Sequence, residues 1–128
     1  MKNSTKQRVF ILEDDKMVRL IVSDYLTVSG FDVIDAADPL IAIEMLKNDI
    51  CDVAIVDINI PTMSGEEFIA KAKTICADLQ FIIHTGASDY KVSSKMKEMG
   101  ISQDHVLVKP VEDMGTFVTI IKQMEKTI

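Results

Sequence analysis

The chain has 128 residues, enough for one domain with a hydrophobic core, and 48% of them are hydrophobic and 27% charged, as in soluble globular proteins. The net charge of −6 opposes the counterion release that drives nucleic-acid binding, so we expect no direct binding to nucleic acid. No apolar run approaches the roughly 18 residues that span a bilayer. We therefore expect a cytoplasmic protein without membrane insertion and a single domain over residues 1–128, in which residues 1–7 form a flexible polar arm.

Short apolar runs alternate with longer segments of helical period along the chain. The runs predict strands at residues 9–12, 31–34, 53–56, 81–83 and 106–108, and the segments between and after them predict helices at residues 16–29, 39–49, 65–76, 89–99 and 111–126. The first helix carries one continuous apolar face, which consists of Met17, Ile21, Tyr25 and Val28. The second begins with Asp38 as its N-cap and Pro39 at its first position, a typical helix start.

Regular alternation of strands and helices, with strands that are apolar on both faces, predicts a parallel sheet covered by helices on each side. The fold class is thus α/β: a doubly wound, flavodoxin-like sheet of five strands in the order 2-1-3-4-5 with five helices. Right-handed crossovers bring the carboxyl ends of all parallel strands to one edge, and ligands bind at that edge.

Polar side chains follow four of the five predicted strands. Glu13, Asp14 and Asp15 follow the first strand, Asp57 the third, Thr85 the fourth and Lys109 the fifth. A carboxylate such as Asp57 directly after a buried apolar run needs a compensating partner, because burying it alone costs several kcal/mol. The strand order places these groups at one crevice, and we expect them to converge there.

Of these groups, the carboxylates of Glu13, Asp14 and Asp57 would repel one another in one crevice unless a cation lay between them. Hard oxygen ligands without histidine or thiolate favour Mg²⁺, which proteins usually hold through one or two carboxylates, water and a phosphate. Lys109 would supply a positive charge and Thr85 a hydroxyl donor to the oxygens of a phosphoryl group. In this arrangement Asp57, at the centre, is the candidate nucleophile.

These residues resemble the receiver domain of two-component response regulators. The matching motifs are Glu13-Asp14 with Arg19 five residues beyond Asp14, the segment 57–61 (DINIP) with Met63 and Gly65, Thr85-Gly86, and Lys109-Pro110. Together they cover almost the whole chain. A set of motifs in order at the ends of the appropriate strands is far more specific than any one of them.

The resemblance implies a phosphorylation switch in which Asp57 accepts a phosphoryl group from the phosphohistidine of a sensor histidine kinase or a histidine phosphotransfer protein. It implies Mg²⁺ ligands from Asp14, the Asp57 carboxylate and the Asn59 backbone carbonyl, with Glu13 binding through water. Lys109 and Thr85 would contact the phosphoryl oxygens. Such a protein assists its own phosphotransfer and dephosphorylation and is not an enzyme in the ordinary sense. The resemblance also implies a cis peptide before Pro110 and makes Asp15 the N-cap of the first helix.

The family passes its signal to a downstream protein through helix four, strand five and helix five. Its members usually carry a rotating Tyr or Phe three residues before the lysine, whereas this chain has Val106. A valine cannot fill the same space, so we expect either a small structural change on that face or an output that consists of phosphotransfer itself. Helix four is polar around a narrow stripe of Val92, Met96 and Met99, which indicates a loosely held surface for transient contacts.

Three other functions share some of these features. A haloacid-dehalogenase-like phosphatase also uses an aspartyl nucleophile but needs a second acid two residues later, where this chain has Asn59. A flavodoxin-like FMN carrier needs a loop rich in hydroxyl groups and glycine after strand one, where this chain has residues 13–16 (EDDK). The third is a receiver-shaped interaction module that is never phosphorylated. The sequence is equally compatible with a stand-alone receiver and with a piece of a longer protein.

The remaining polar residues give no pattern of their own. We expect Cys51 and Cys76 to be reduced thiols in apolar surroundings, because they lack metal-ligand spacing. His84 and His105 have no evident partners in the sequence, and we expect structural or exposed positions for both. The methionines of the last two helices are typical of core filling, with adaptable partner binding as the rival interpretation.

Overall fold

The computed structural model describes residues 6–126, of which residue 126 is described by its backbone alone. Residues 1–5 of the predicted polar arm lie outside the described residues. Over residues 6–126, five strands and five α-helices alternate. The strands are β1 (Arg8–Leu12), β2 (Asp32–Ala36), β3 (Val53–Val56), β4 (Gln80–Thr85) and β5 (Val106–Val108). The helices are α1 (Lys16–Val28), α2 (Pro39–Asn48), α3 (Gly65–Ile75), α4 (Ser94–Glu98) and α5 (Gly115–Lys126), with a 3₁₀ turn at Gln103–His105.

The strands form one all-parallel sheet in the order β2-β1-β3-β4-β5, which confirms the predicted fold. Alternate residues of each strand supply two separate cores because successive side chains point to opposite faces. In β1, Phe10 and Leu12 join the core under α2, α3 and α4, whereas Val9 and Ile11 join the core under α1 and α5. Each face of the sheet is thereby covered by helices.

Local signals set the helix starts as predicted at α1 and α2. The Asp15 carboxylate accepts hydrogen bonds from the amides of Met17 and Val18, and Asp38 caps α2 in the same way with Pro39 at its first position. These acids satisfy amide groups that have no partner within the helix. In the described part of the chain, no helix has the length and apolar character that a membrane span requires.

Two helices are shorter than predicted by four residues or more, and the other three by one residue. The segment predicted to be helical over residues 89–99 forms a helix only at Ser94–Glu98, because Ser93 caps it and the Gln103 side chain bonds both the Val92 amide and the Tyr90 carbonyl. These bonds hold the preceding residues as a loop. The last helix begins at Gly115 rather than at residue 111, and the Asp113 carboxylate accepts a hydrogen bond from the Gly115 amide.

The apolar face predicted for α1 points outward. Met17 is 64% exposed, Ile21 53% and Val28 88%, while Val22 and Leu26 are the buried residues of this helix. Helix α1 therefore carries two apolar stripes, of which the sheet covers only one.

Candidate functional site

The carboxyl ends of four strands bring the predicted polar groups together. The Asp57 amide donates to the Leu12 carbonyl at 3.0 Å, and the Lys109 amide donates to the Thr85 carbonyl at 2.7 Å. These bonds continue the parallel ladders one residue past the strands, so the side chains that follow are held in register. Carboxylate oxygens of Glu13, Asp14 and Asp57 all lie within 4.8 Å of one another.

The three acids differ in their burial and in their hydrogen bonds. Glu13 and Asp57 are only 2% and 5% exposed, whereas Asp14 faces solvent. Asp57 Oδ1 accepts a hydrogen bond from the Asn59 amide at 3.0 Å, and Glu13 Oε2 accepts one from the Asp15 amide at 3.2 Å. Asp14 is thus the solvent-exposed acid of the cluster, and Glu13 and Asp57 are its buried acids.

The Lys109 ammonium lies between the two buried carboxylates. Its Nζ is 3.2 Å from Asp57 Oδ2 and 2.7 Å from Glu13 Oε1. One ammonium group thereby offsets part of the negative charge of two acids, which explains how the carboxylate of Asp57 can directly follow a buried strand. The compensation is incomplete because two negative charges face one positive charge.

The excess of negative charge and the burial of the acids shift the pKa values of Glu13 and Asp57. Burial, together with the neighbouring Asp57, raises the pKa of Glu13 to about 7, although Lys109 opposes the rise. Burial also acts to raise the pKa of Asp57, but the Asn59 amide, a hydrogen bond shared with Glu13 and the Lys109 charge together lower it. Asp57 is therefore the acid of the pair that stays ionised at neutral pH.

Lys109 and Thr85 are the predicted donors to a phosphoryl group. Burial would lower the pKa of Lys109, but the hydrogen bond to Glu13 and the charges of both acids raise it, so the ammonium stays charged. Thr85 is fully buried and its Oγ1 accepts a hydrogen bond from the Ala87 amide at 3.1 Å, which leaves the hydroxyl proton available to donate. The Lys109–Pro110 peptide is cis, as the resemblance implies.

Two residues near the acids were not predicted to have a role there. Arg19 Nη1 donates to the Glu13 carbonyl at 2.8 Å, and its Nε lies 3.6 Å from Asp35 Oδ1, so Arg19 ties the acidic loop to α1 and β2. Its spacing from the acids was the only signal for Arg19 in the sequence. His84 is buried behind Glu13, and burial and the Lys109 charge lower the pKa of His84 to about 4. Its position just before Thr85 was the only signal available.

Val106 begins β5, where it pairs with Ile83 of β4. Its side chain is half-buried and packs against the core that lies under α3 and α4. Family members usually have a rotating aromatic residue at this position. Here it is the short side chain of Val106, which packs at the edge of the core.

The donor set fits Mg²⁺ on its chemistry. Glu13, Asp14 and Asp57 all offer carboxylate oxygens, the ligand type that Mg²⁺ prefers, and the cluster carries more negative than positive charge. Among the described residues, this cluster is the only group of three or more acids, histidines or cysteines whose ligand atoms lie close enough together to bind one metal ion.

Several proteins of known type are similar to this chain. A curated relative, a cyclic di-GMP phosphodiesterase of Thermotoga maritima, is 37% identical over 103 residues; the match covers 80% of this chain but only 27% of that protein. Sporulation initiation phosphotransferase F of Bacillus subtilis is 24% identical over 94 residues, which cover 73% of this chain and 76% of the relative. This chain therefore corresponds to about a quarter of the first relative and three quarters of the second.

Solved structures share the fold. A CheY-like receiver domain protein from Methanospirillum hungatei superposes with a TM-score of 0.83 at 24% identity, covering 97% of this chain and 100% of that one. TrrA of Thermotoga maritima, solved in complex with Mg²⁺ and BeF, superposes with a TM-score of 0.75 at 20% identity, covering 95% and 99%.

A family model decides the assignment. The model described as the response regulator receiver domain matches residues 9–122, which include all of β1 except Arg8, the other four strands and most of α5. The chain therefore belongs to the family of response regulator receiver domains.

Proposed function

We propose that this receiver domain is a phosphorylation switch or phosphorelay carrier in which Asp57 accepts a phosphoryl group from the phosphohistidine of a sensor histidine kinase or a histidine phosphotransfer protein. The observation that carries the proposal is the Lys109 ammonium between Asp57 and Glu13, at an edge where three acids meet within 4.8 Å. That arrangement holds an ionised nucleophile beside a group that binds phosphoryl oxygens.

The chemistry is a direct transfer. An Asp57 carboxylate oxygen attacks phosphorus, the bond between phosphorus and the donor imidazole breaks, and the imidazole keeps the electron pair. Lys109 and Thr85 then donate to the phosphoryl oxygens, which carry more negative charge than the carboxylate did. Mg²⁺, held by Asp14, Asp57 and the Asn59 backbone carbonyl with Glu13 acting through water, would neutralise charge on the acids and the phosphoryl group.

The exposed stripe on α1 supports a docking surface for the donor. Met17 lies in the first turn of α1, next to the acidic loop, and Leu20 and Ile21 continue the exposed stripe along the helix. Met17→Gln should slow transfer from a phosphohistidine protein while leaving phosphorylation by acetyl phosphate unchanged. Val28→Gln, at the far end of the same stripe, is the matched control and should slow neither reaction.

The main test is phosphorylation by a small donor. Incubation with acetyl phosphate and Mg²⁺ should add one phosphoryl group, located on Asp57 by mass spectrometry of peptides. Asp57→Asn should abolish the gain, excess EDTA should prevent it, and Asp24→Asn, at an exposed acid of α1, should leave it intact. Absence of a phosphoryl group on Asp57 under these conditions would favour the alternative, a receiver-like interaction module that works without phosphorylation.

We propose that the output leaves through α4, β5 and α5 to a downstream protein in the cytoplasm, and that the domain has no turnover on other substrates. Val106 is too short to act as the rotating aromatic of the family, so the structural change on this face should be small. Backbone amide shifts recorded with and without beryllofluoride measure it. Wide perturbation across α4 and α5 would contradict the muted switch without affecting the phosphorylation proposal.

A further inference from the structure

A cavity of about 470 Å³ opens beside the candidate phosphorylation site, between α1 and the segment that follows β5. Pockets of this size accommodate small organic ligands. Its walls are largely apolar. They are formed by Val18, Ile21, Val22, Pro110, Val111 and Met114.

The polar group of interest in this cavity is the imidazole of His84. His84 is 5% exposed, its ring lies edge-on to Phe117 with centroids 5.2 Å apart, and its Nδ1 is 3.9 Å from Glu13 Oε1. That last distance is too long for a hydrogen bond. Among the hydrogen bonds of residues 6–126, none involves a ring nitrogen of His84, and neither nitrogen is among the fully buried side-chain atoms without a partner, so the imidazole is open to the cavity that it lines.

We propose that this cavity is a binding site for a small neutral ligand with an apolar body and one hydroxyl, phenol or amide group that hydrogen-bonds to His84. The apolar walls would take the body of the ligand, and a neutral imidazole offers both a donor and an acceptor to its polar group. The site lies beside the acidic cluster and is distinct from it, although Lys109 lines both.

Charge argues for a neutral ligand rather than an anion. The Lys109 ammonium that reaches the cavity is already engaged by Glu13 and Asp57, at 2.7 and 3.2 Å. Those two carboxylates and the nearby Asp14 outnumber the single ammonium. An anionic ligand would have to displace a carboxylate from Lys109, whereas a neutral hydroxyl group meets no such competition.

Three matched probes test the proposal: p-cresol, toluene and p-toluate, which share a methylphenyl body and differ in their polar group. Titration at pH 7.5, followed by the methyl resonance of Met114 and the ring resonances of His84, should show p-cresol binding about fivefold more tightly than toluene, the ratio that one hydrogen bond provides. p-Toluate should bind more weakly than p-cresol. Equal affinities for p-cresol and toluene, tighter binding of p-toluate, or no binding of any probe would overturn the proposal.

Variants separate the hydrogen bond from the cavity. His84→Phe should remove the preference for p-cresol over toluene, and Val111→Phe, which fills the cavity, should abolish binding of both while leaving His84 in place. Ile41→Phe, at an exposed position on α2, should change neither affinity. Because Asp57 does not line the cavity, Asp57→Asn should bind p-cresol like the unchanged protein, so the result is independent of the proposed phosphorylation.

Discussion

Glu13 of the acidic cluster and His84, which is buried behind it, should give the metal-free protein opposite dependences of stability on pH. The pKa of Glu13 is raised from its ordinary value near 4.5 to about 7, and the pKa of His84 is lowered from about 6.5 to about 4. Each shift corresponds to about 3 kcal/mol of unfolding free energy, because one pKa unit is worth about 1.4 kcal/mol.

The signs follow from which state binds the proton more tightly. Folded Glu13 binds its proton more tightly than the unfolded chain does, so its contribution is fully present below pH 4.5 and is lost as pH rises through 7. Folded His84 binds its proton less tightly, so its contribution is present above pH 6.5 and is lost as pH falls through 4. Between pH 5 and 6.5 the two contributions change by about 2 kcal/mol each, in opposite directions, and nearly cancel.

Single substitutions should reveal how each group changes the free energy of unfolding with pH. Relative to the unchanged protein, Glu13→Gln should gain about 2 kcal/mol of stability between pH 5 and 6.5, and His84→Gln should lose about 2 kcal/mol over the same interval. The assay is urea unfolding in excess EDTA, followed by circular dichroism because the chain has no tryptophan. If both variants keep the pH dependence of the unchanged protein within about 0.5 kcal/mol, Glu13 and His84 are not perturbed in the way their burial implies.

Three further predictions concern stability and use the same unfolding assay. Gly65→Ala should cost at least about 1–3 kcal/mol, because a Cβ at this position would lie 2.9 Å from the Ile58 Cα, whereas Gly86→Ala, with no atom within 4 Å of the added carbon, should change stability by less than about 0.5 kcal/mol. At pH 8, Lys109→Met should lower the free energy of unfolding by up to about 3 kcal/mol, because it leaves two buried carboxylates without their ammonium. The loss should be smaller at pH 5, because Glu13, with a pKa of about 7, is then protonated, and an equal loss at both pH values would contradict this. Asp38→Ala should cost about 1 kcal/mol through loss of the α2 cap, and Asp38→Asn should retain most of that stability.

The convergence of the acids was predictable because topology alone decides which strand ends meet. Once the β/α alternation gives a parallel sheet with β1 beside β3, residues that directly follow these strands must share an edge. The prediction needed no side-chain detail, and it placed Glu13 and Asp57 together although 44 positions separate them. What the sequence could not give was the division of charge between them, which depends on burial and on the position of Lys109.

Helix α4 shows where local periodicity fails. The spacing of Val92, Met96 and Met99 extends a helical pattern over a segment that the structure holds partly as a loop. The Gln103 side chain, more than ten residues away, supplies the bonds that keep Tyr90 and Val92 out of the helix. A contact of this kind leaves no trace in a helical period, because it depends on how two segments meet in space.

Helix α1 presents a different difficulty, because its sequence contains two apolar stripes of the same period. Ile21 and Tyr25 belong to one and Val22 and Leu26 to the other, and helical spacing fits both. The sheet buries Val22 and Leu26, which leaves the longer stripe exposed on the helix that follows the acidic loop. Exposed apolar side chains along one helix, such as Met17 at 64% and Ile21 at 53%, are typical of interaction sites. The same feature that made the orientation of α1 unpredictable therefore supports the proposal that the phosphodonor docks on this helix.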